Sequence, residues 1–458
     1  MRAWARRTAE LQRELAAIAE ADPRWWLLAA GVALVEPHAP PEIYLACDAE
    51  PDADTFMAYR APPPHDLARD AIARAEAART ALRELDGTLP DQPLAVAIER
   101  AGGGAVHRSD LDVAAFAVGA SCLVARLADP TLPAQLRAVL GGEIPAPWAG
   151  PPPFVCVSIG DEPLATARHG HRRAWTARGG PWLGLGRSGE LAIVSTCHLI
   201  VDGYGHARIA ARIAELTAAP TGSPAVAPAL APVGDALPLA VSWRELGEPR
   251  PRLLPLAYEL GRVLHRHAGQ PAARFSPTIQ IPVARGDKHD PLRLHRRVVS
   301  ATLSVRFAGG VPEPFPAFET RVREVFQREA AAAGLVSRLL AAARAVPVPL
   351  AWKRRSISAK RPRWLDSFAA VIGGRALLSR IAMDTPTPIV CAASSPSRLA
   401  TDDDPIGGCV ITILDDGQRA AISVCGSGFA GTPAAGAALL DEVLGKATSE
   451  RRAEGSAG

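Results

Sequence analysis

The chain lacks the marks of several large protein classes. None of its seven cysteines forms a C-x-x-C pair, and most sit in apolar runs. A zinc site or a disulfide framework is therefore not expected, whereas buried free thiols in a reducing compartment are. Long apolar runs are missing too. The longest early one, "WWLLAAGVALV" from Trp25 to Val35, falls short of the roughly 20 residues that span a bilayer. No charge sign dominates: the formal net charge is +4 with 21% charged residues. That is too mild for a nucleic-acid binder, though it leaves room for one local basic patch. No internal repeat of short fixed period is visible. The opening "MRAWARRTAELQRELAAIAEA" has charges throughout and no apolar centre, so it does not read as a signal peptide. Trp4, Leu11, Leu15 and Ile18 fall on one helix face instead. The expectation is a soluble, cytoplasmic protein.

What is present is ordinary globular material. At 458 residues with 48% hydrophobic content, two lobes are the default. Asp66–Leu85 reads as a helix that Asp66 caps and Gly87 ends. A second helix is predicted from about Leu111 to Leu127, with Ser109 and Asp112 spaced like a capping box. "PPPFVCVSIG" (Pro151–Gly160) predicts a strand, and "PWLGLGRSGELAIVSTCHL" a hairpin around "GRSG". From Ala219 to Pro238 prolines recur with almost no charge, which marks an extended linker. Beyond it, "LLPLAYELGRVLHRHAG" is helical, and "TIQIPVARGD" and "RRVVSATLSVRF" are strands. Phe315 to about Arg344 is mostly helix. "PIVCAASS", a hairpin through Asp415-Asp416-Gly417 and a helix Pro433–Leu444 follow. The pattern predicts two α/β lobes, each a mixed sheet with helices, and a site in the cleft between them. The divisions are an N-terminal lobe 1–218, a crossover linker 219–238, a C-terminal lobe 239–448 and a disordered tail 449–458.

One stretch carries candidate chemistry: "LAIVSTCHLIVDGYGHARIAARIAEL", Leu191–Leu216. An apolar, β-branched strand ends at His198. Gly203 and Gly205 permit a tight bend, and Ile209, Ile213 and Leu216 then line one face of a helix. His198 thus sits on a short loop anchored on both sides, as a general base requires. Asp202 is placed to orient the histidine or to brace the loop through an arginine. Cys197 beside it points to the opposite face of a strand, so it reads as packing rather than as a nucleophile.

"CHLIVDG" resembles the H-H-x-x-x-D-G signature of the chloramphenicol acetyltransferase-like acyltransferase superfamily. That superfamily includes peptide-synthetase condensation domains and bacterial wax ester synthase/diacylglycerol acyltransferases. "IQIPVARGD" resembles the strand ending in arginine that opens the second half of its two-lobed members. "VCAASSPS" followed by "GGCVITIL" resembles a late strand pair beside the acyl channel.

The resemblance implies the two-lobed fold with its active site between the lobes. It also implies acyl transfer from an acyl-CoA or acyl-carrier-protein thioester to an alcohol or amine, with no permanently bound cofactor and no metal. His198 matches the base, and Asp202 the structural aspartate, with Arg285 as its partner. Gly203 matches the bend, and Ser394 or Ser395 is the hydroxyl near the oxyanion. Cys197 replaces the first histidine. The asparagine signatures of wax synthases and the D-F-G-W-G of plant members are absent, so the acceptor stays open. The wax ester synthase/diacylglycerol acyltransferase branch is nevertheless nearest in general layout; the alternatives are a condensation-type enzyme forming amides or esters on carrier proteins, and a non-catalytic docking relative.

Three other motifs compete for attention. "GLGRSG" (Gly184–Gly189) leads into a strand, not a helix, so it reads as a hairpin turn rather than a dinucleotide loop. "HGHRR" (His169–Arg173) reads as a solvated basic loop rather than a metal site. "WKRRSISAKRPRW" (Trp352–Trp364) reads either as a solvated charge run or as a patch for anionic lipid at the inner membrane surface or for donor phosphates.

Overall fold

Asp66 acts as its position before an apolar-periodic run predicts. Its carboxylate accepts hydrogen bonds from the backbone N–H groups of Ala68 and Arg69, both at 3.1 Å, satisfying donors that the helix leaves open. The computed structural model describes residues 54–85, 110–151, 153–167, 170–174, 183–197, 203–217, 239–247, 250–268, 276–284, 298–324, 375–383, 386–394 and 405–455, with a few single residues besides. The N-terminal helix, Trp25–Val35, almost all of the 219–238 linker and the 352–364 basic run lie outside them.

The first half runs β1 (Asp54–Arg60), α1 (Leu67–Leu85), β2 (Asp110–Val118), β3 (Ser121–Arg126), α2 (Leu132–Leu140), β4 (Pro153–Ser158), β5 (Leu183–Ser188), β6 (Leu191–Cys197) and α3 (Gly203–Leu216). The second half runs β7 (Ala240–Leu246), α4 (Leu253–His267), β8 (Ile279–Ala284), β9 (Val298–Leu303), β10 (Phe307–Ala308) and β11 (Val311–Pro312). It continues through a helical stretch 315–324 to β12 (Ala376–Ala382), β13 (Ile389–Ser394), β14 (Cys409–Asp415), β15 (Ala420–Gly426) and α5 (Pro433–Gly455).

β10 and β11 pair only with each other, and the remaining strands form two mixed sheets, in orders β13-β1-β6-β5-β4-β2-β3 and β7-β15-β14-β12-β8-β9. The two share one plan. Within β1-β6-β5-β4-β2-β3, the successive pairings are antiparallel, antiparallel, parallel, parallel and antiparallel. The pairings of β7-β15-β14-β12-β8-β9 follow the same series. Each half is therefore the same topological unit, and the β6–α3 junction of the first corresponds to the β15–α5 junction of the second.

One strand breaks the symmetry. β13 comes from the second half of the sequence but pairs antiparallel with β1, from Thr55↔Ser394 to Tyr59↔Ile389. It brings Cys391 and Ala393 into an apolar cluster with Phe56, Ala58 and Ile193 of the first sheet and Leu239 and Cys425 of the second half. Fully burying such side chains stabilises by roughly 1.5–3 kcal/mol apiece, so this cluster fastens the halves together. Two larger cores lie elsewhere. One packs α1 and α3 on the first sheet, and the other packs α4 and α5 on the second.

Three expectations need correction. Residues 111–127 form the hairpin β2–β3, not a helix, and Gly119 turns it at φ 55°. The stretch is alanine-rich, but β2 is buried without a break from Val113 to Val118, and tertiary context overrides a weak propensity. Asp112 is no capping residue; it takes Arg79 and Arg83 of α1 at 3.2 and 3.0 Å. The last helix also continues past Leu444 to Gly455, through the start of the segment expected to be a disordered tail. Of the helix expected over 315–344, only the first part lies within the described residues, and it is helical.

Candidate active site

β6 lies between β1 and β5, paired along its whole length, from Asp54↔Cys197 to Arg60↔Leu191 on one side and from Leu183↔Thr196 to Ser188↔Leu191 on the other. A strand paired on both edges is rigid, so it fixes the chain up to Cys197. α3 starts at Gly203. His198 and Asp202 fall between these two elements and lie outside the described residues, as do Arg285 and Ser395.

The two anchors are clasped by a side chain that sequence reasoning missed. His206, fully buried in the first turn of α3, places Nε2 2.8 Å from the Val194 carbonyl oxygen of β6. A carbonyl only accepts, so Nε2 carries a proton. Nδ1 meets the hydroxyls of Thr55 and Thr196 at 3.1 and 3.2 Å, and these two oxygens lie 3.4 Å apart. The signal was available in the sequence: a histidine on the inward face of an amphipathic helix, opposite threonines in β-branched runs.

Ser394 belongs to the same end of the sheet. It pairs with Thr55, which pairs with Thr196, so a polar row Ser394–Thr55–Thr196 crosses β13, β1 and β6. Two strand spacings separate Ser394 from Thr196, roughly 10 Å. Ser394 is half-buried and stands at the β13 end of that row. Its neighbour Cys391 is fully buried, and burial together with the nearby Cys425 pushes its thiol well up, which makes it inert.

Gly203 does not serve as a left-handed bend. Neither it nor Gly205 is among the glycines with positive φ. A Cβ at Gly203 would stand 3.0 Å from Cδ1 of Ile381 on β12. What the position demands is space, because the start of α3 abuts the second half of the protein.

"GLGRSG" forms β5 and the turn into β6 as predicted, but Gly186 has a further reason. A Cβ there would lie 3.0 Å from Glu162 Oε1. Glu162 pairs with Arg173 at 2.5 Å, the two side chains only 3% and 6% exposed. The solvated-loop reading of "HGHRR" therefore fails at Arg173, which is drawn into the interior by a buried carboxylate; His169 lies outside the described residues. Burial pushes the Glu162 carboxyl up, opposed by the Arg173 guanidinium. Among the described residues no cluster of histidine, cysteine or carboxylate side chains could hold a metal. Among them, too, no helix is long and apolar enough to cross a membrane, and Cys122, Cys156, Cys391 and Cys409 are free thiols, the last three buried.

No family model and no curated protein matches the chain. Solved structures do. Polyketide synthase associated protein 5 from Mycobacterium tuberculosis is 12% identical, with a TM-score of 0.43 over 90% of this chain and 97% of that one. The first condensation domain of the CDA synthetase is 16% identical, with a TM-score of 0.38 over 89% and 94%. The starter condensation domain of rhizomide synthetase RzmA is 11% identical, with a TM-score of 0.37 over the same shares. The structures that this chain resembles thus include condensation domains.

Proposed function

We propose that the protein is an acyltransferase that moves an acyl group from a thioester to an alcohol or amine, with His198 as general base. The observation that carries this reading is local. "CHLIVDG" joins a strand paired on both edges to a helix that His206 clasps back onto that strand. A base needs that fixed placement, and general-base catalysis is worth about 10²–10⁴ in rate.

In this reaction the imidazole of His198 takes the proton of the acceptor O–H or N–H. The acceptor attacks the thioester carbonyl carbon directly. The tetrahedral intermediate collapses, the C–S bond breaks, and the leaving thiolate recovers the proton from the imidazolium. Ser394 or Ser395 would donate to the oxyanion, and Asp202, turned to Arg285, would brace the loop. The donor is a carrier-protein or coenzyme A thioester, used as a co-substrate. A condensation-type reaction on a carrier protein is favoured over a wax ester type, because the wax-synthase asparagine signatures are absent. The basic run 352–364 is proposed to meet donor phosphates or anionic lipid.

The test is a matrix of acyl-CoA and acyl-carrier thioesters against alcohols and amines, read by free thiol. Acceptor-dependent release that disappears in His198→Ala supports the reading, whereas equal release in the variant removes it. A wild type inert on every pair would favour a non-catalytic relative.

A further inference from the structure

The far end of β6 from His198 carries a feature that this chemistry does not use. Where the β5–β6 turn, the end of β4 and the start of α1 meet, they enclose a cavity of about 280 Å³. Its walls include Arg74, Arg187, Asp70, Asp161, Leu67 and Pro63. The two arginines are only 4% and 9% exposed.

Each guanidinium has one fixed duty. Arg74 Nη2 donates to the Gly186 carbonyl at 2.8 Å, and Arg187 Nη2 donates to the Ala61 carbonyl at 2.7 Å. The carboxylates are divided unequally between them. Asp70 lies 3.6 Å from Arg74. Asp161 is exposed at the rim, and its Oδ1 accepts the Gly189 N–H at 2.7 Å. Among the described residues no carboxylate lies within 4.0 Å of Arg187. Burial, and next to it the charge of Arg74, push the Arg187 guanidinium down. The cavity therefore has balanced charges overall but one buried cation without a close counterion, a costly arrangement that a bound anion relieves.

We propose that this cavity binds a small oxyanion, the carboxylate or phosphate group of a small molecule, on the free N–H groups of Arg187 with Arg74 beside it. The planar fork of a guanidinium matches both groups. The site is separate from the proposed base. The seven residues of β6 span roughly 20 Å, and packed core lies alongside them.

The experiment uses the full chain and titrates sodium phosphate or sodium acetate against sodium chloride at matched ionic strength, read by calorimetry and thermal midpoint. A saturable response to phosphate, to acetate or to both, absent with chloride, is the expected result. The stronger responder identifies the group. Arg187→Gln should abolish the response. Asp70→Asn removes a nearby competing negative charge, so it should tighten binding about tenfold. This opposite sign separates ligand binding from loss of fold. Wild type responding no more than to chloride, Arg187→Gln binding as wild type does, or Asp70→Asn weakening the response would each overturn the proposal.

Discussion

His206 Nε2 and the Val194 carbonyl oxygen lie 2.8 Å apart, in the interior, across the gap between α3 and β6. This bond puts a proton on Nε2, and the two threonine contacts at Nδ1 hold the ring in place in the first turn of the helix. His206→Phe would remove the side-chain hydrogen bond to the Val194 carbonyl and the shared partner of both threonine hydroxyls. The expected loss is roughly 2–4 kcal/mol, read as a lower urea midpoint at unchanged slope. Nitrogen-15 NMR of the imidazole should show the proton on Nε2; a proton on Nδ1 alone would contradict the geometry.

The contact between Gly203 and Ile381 gives a second expectation. Gly203→Val inserts atoms where Ile381 Cδ1 already stands 3.0 Å from the first added carbon. Overpacking of this kind costs about 1–3 kcal/mol. Ile381→Ala on the same background should restore part of it, and a double-mutant cycle measures that coupling. Independent, additive effects would show that the start of α3 does not press on β12.

Glu162 and Arg173 form a pair only a few per cent exposed. Glu162→Ala leaves a buried guanidinium without its carboxylate, and roughly 3–5 kcal/mol of stability should be lost. The double change Glu162→Leu with Arg173→Met should recover most of it, because no charge remains to be compensated. Equal loss in single and double variants would mean that the pair acts through packing alone.

Much of the local structure was legible in advance, and the reasons differ from element to element. The hairpins at "GRSG" and "DDGQ" are short-range: alternating apolar runs and a glycine turn settle them within a few residues, as Gly417 at φ 85° does for β14–β15. The Asp66 cap is equally local. β2–β3 was misread because alanines favour a helix, while the burial that made it a sheet comes from distant elements. The passage of β13 into the first sheet joins residues more than 300 positions apart in sequence (Thr55 with Ser394), and no local pattern encodes it. The matching plans of the two sheets were invisible for a related reason. They repeat pairing directions, not residues. At the candidate site the strand before His198 and the helix from Gly203 were legible, but the reason for Gly203 was not, since it lies in Ile381 of the other half.

The turn that ends β14 predicts the acid limb of stability. Burial alone would raise the Asp416 carboxyl, but the backbone N–H groups of Arg419, Thr387 and Gln418 outweigh it and hold it below its ordinary value. A carboxyl depressed in the fold stabilises above its unfolded pKa, near 3.9, and that contribution fades as pH falls through the folded value. Wild type should therefore exceed Asp416→Asn in urea midpoint at pH 6, with the gap closing towards pH 2.5. A gap that widens with acid would reverse the sign.

The central claim is that His198 is a base held by a clasped loop. The most direct measurement is acceptor-dependent thiol release from the best thioester–acceptor pair, as a function of pH, for wild type, His198→Ala and His206→Gln. The account predicts that His198→Ala loses about 10²–10⁴ of kcat, at a KM near that of wild type, together with the rate's rise through the histidine range. His206→Gln should lower kcat less and keep that rise. A His198→Ala enzyme that matches wild type in rate and pH profile would contradict it.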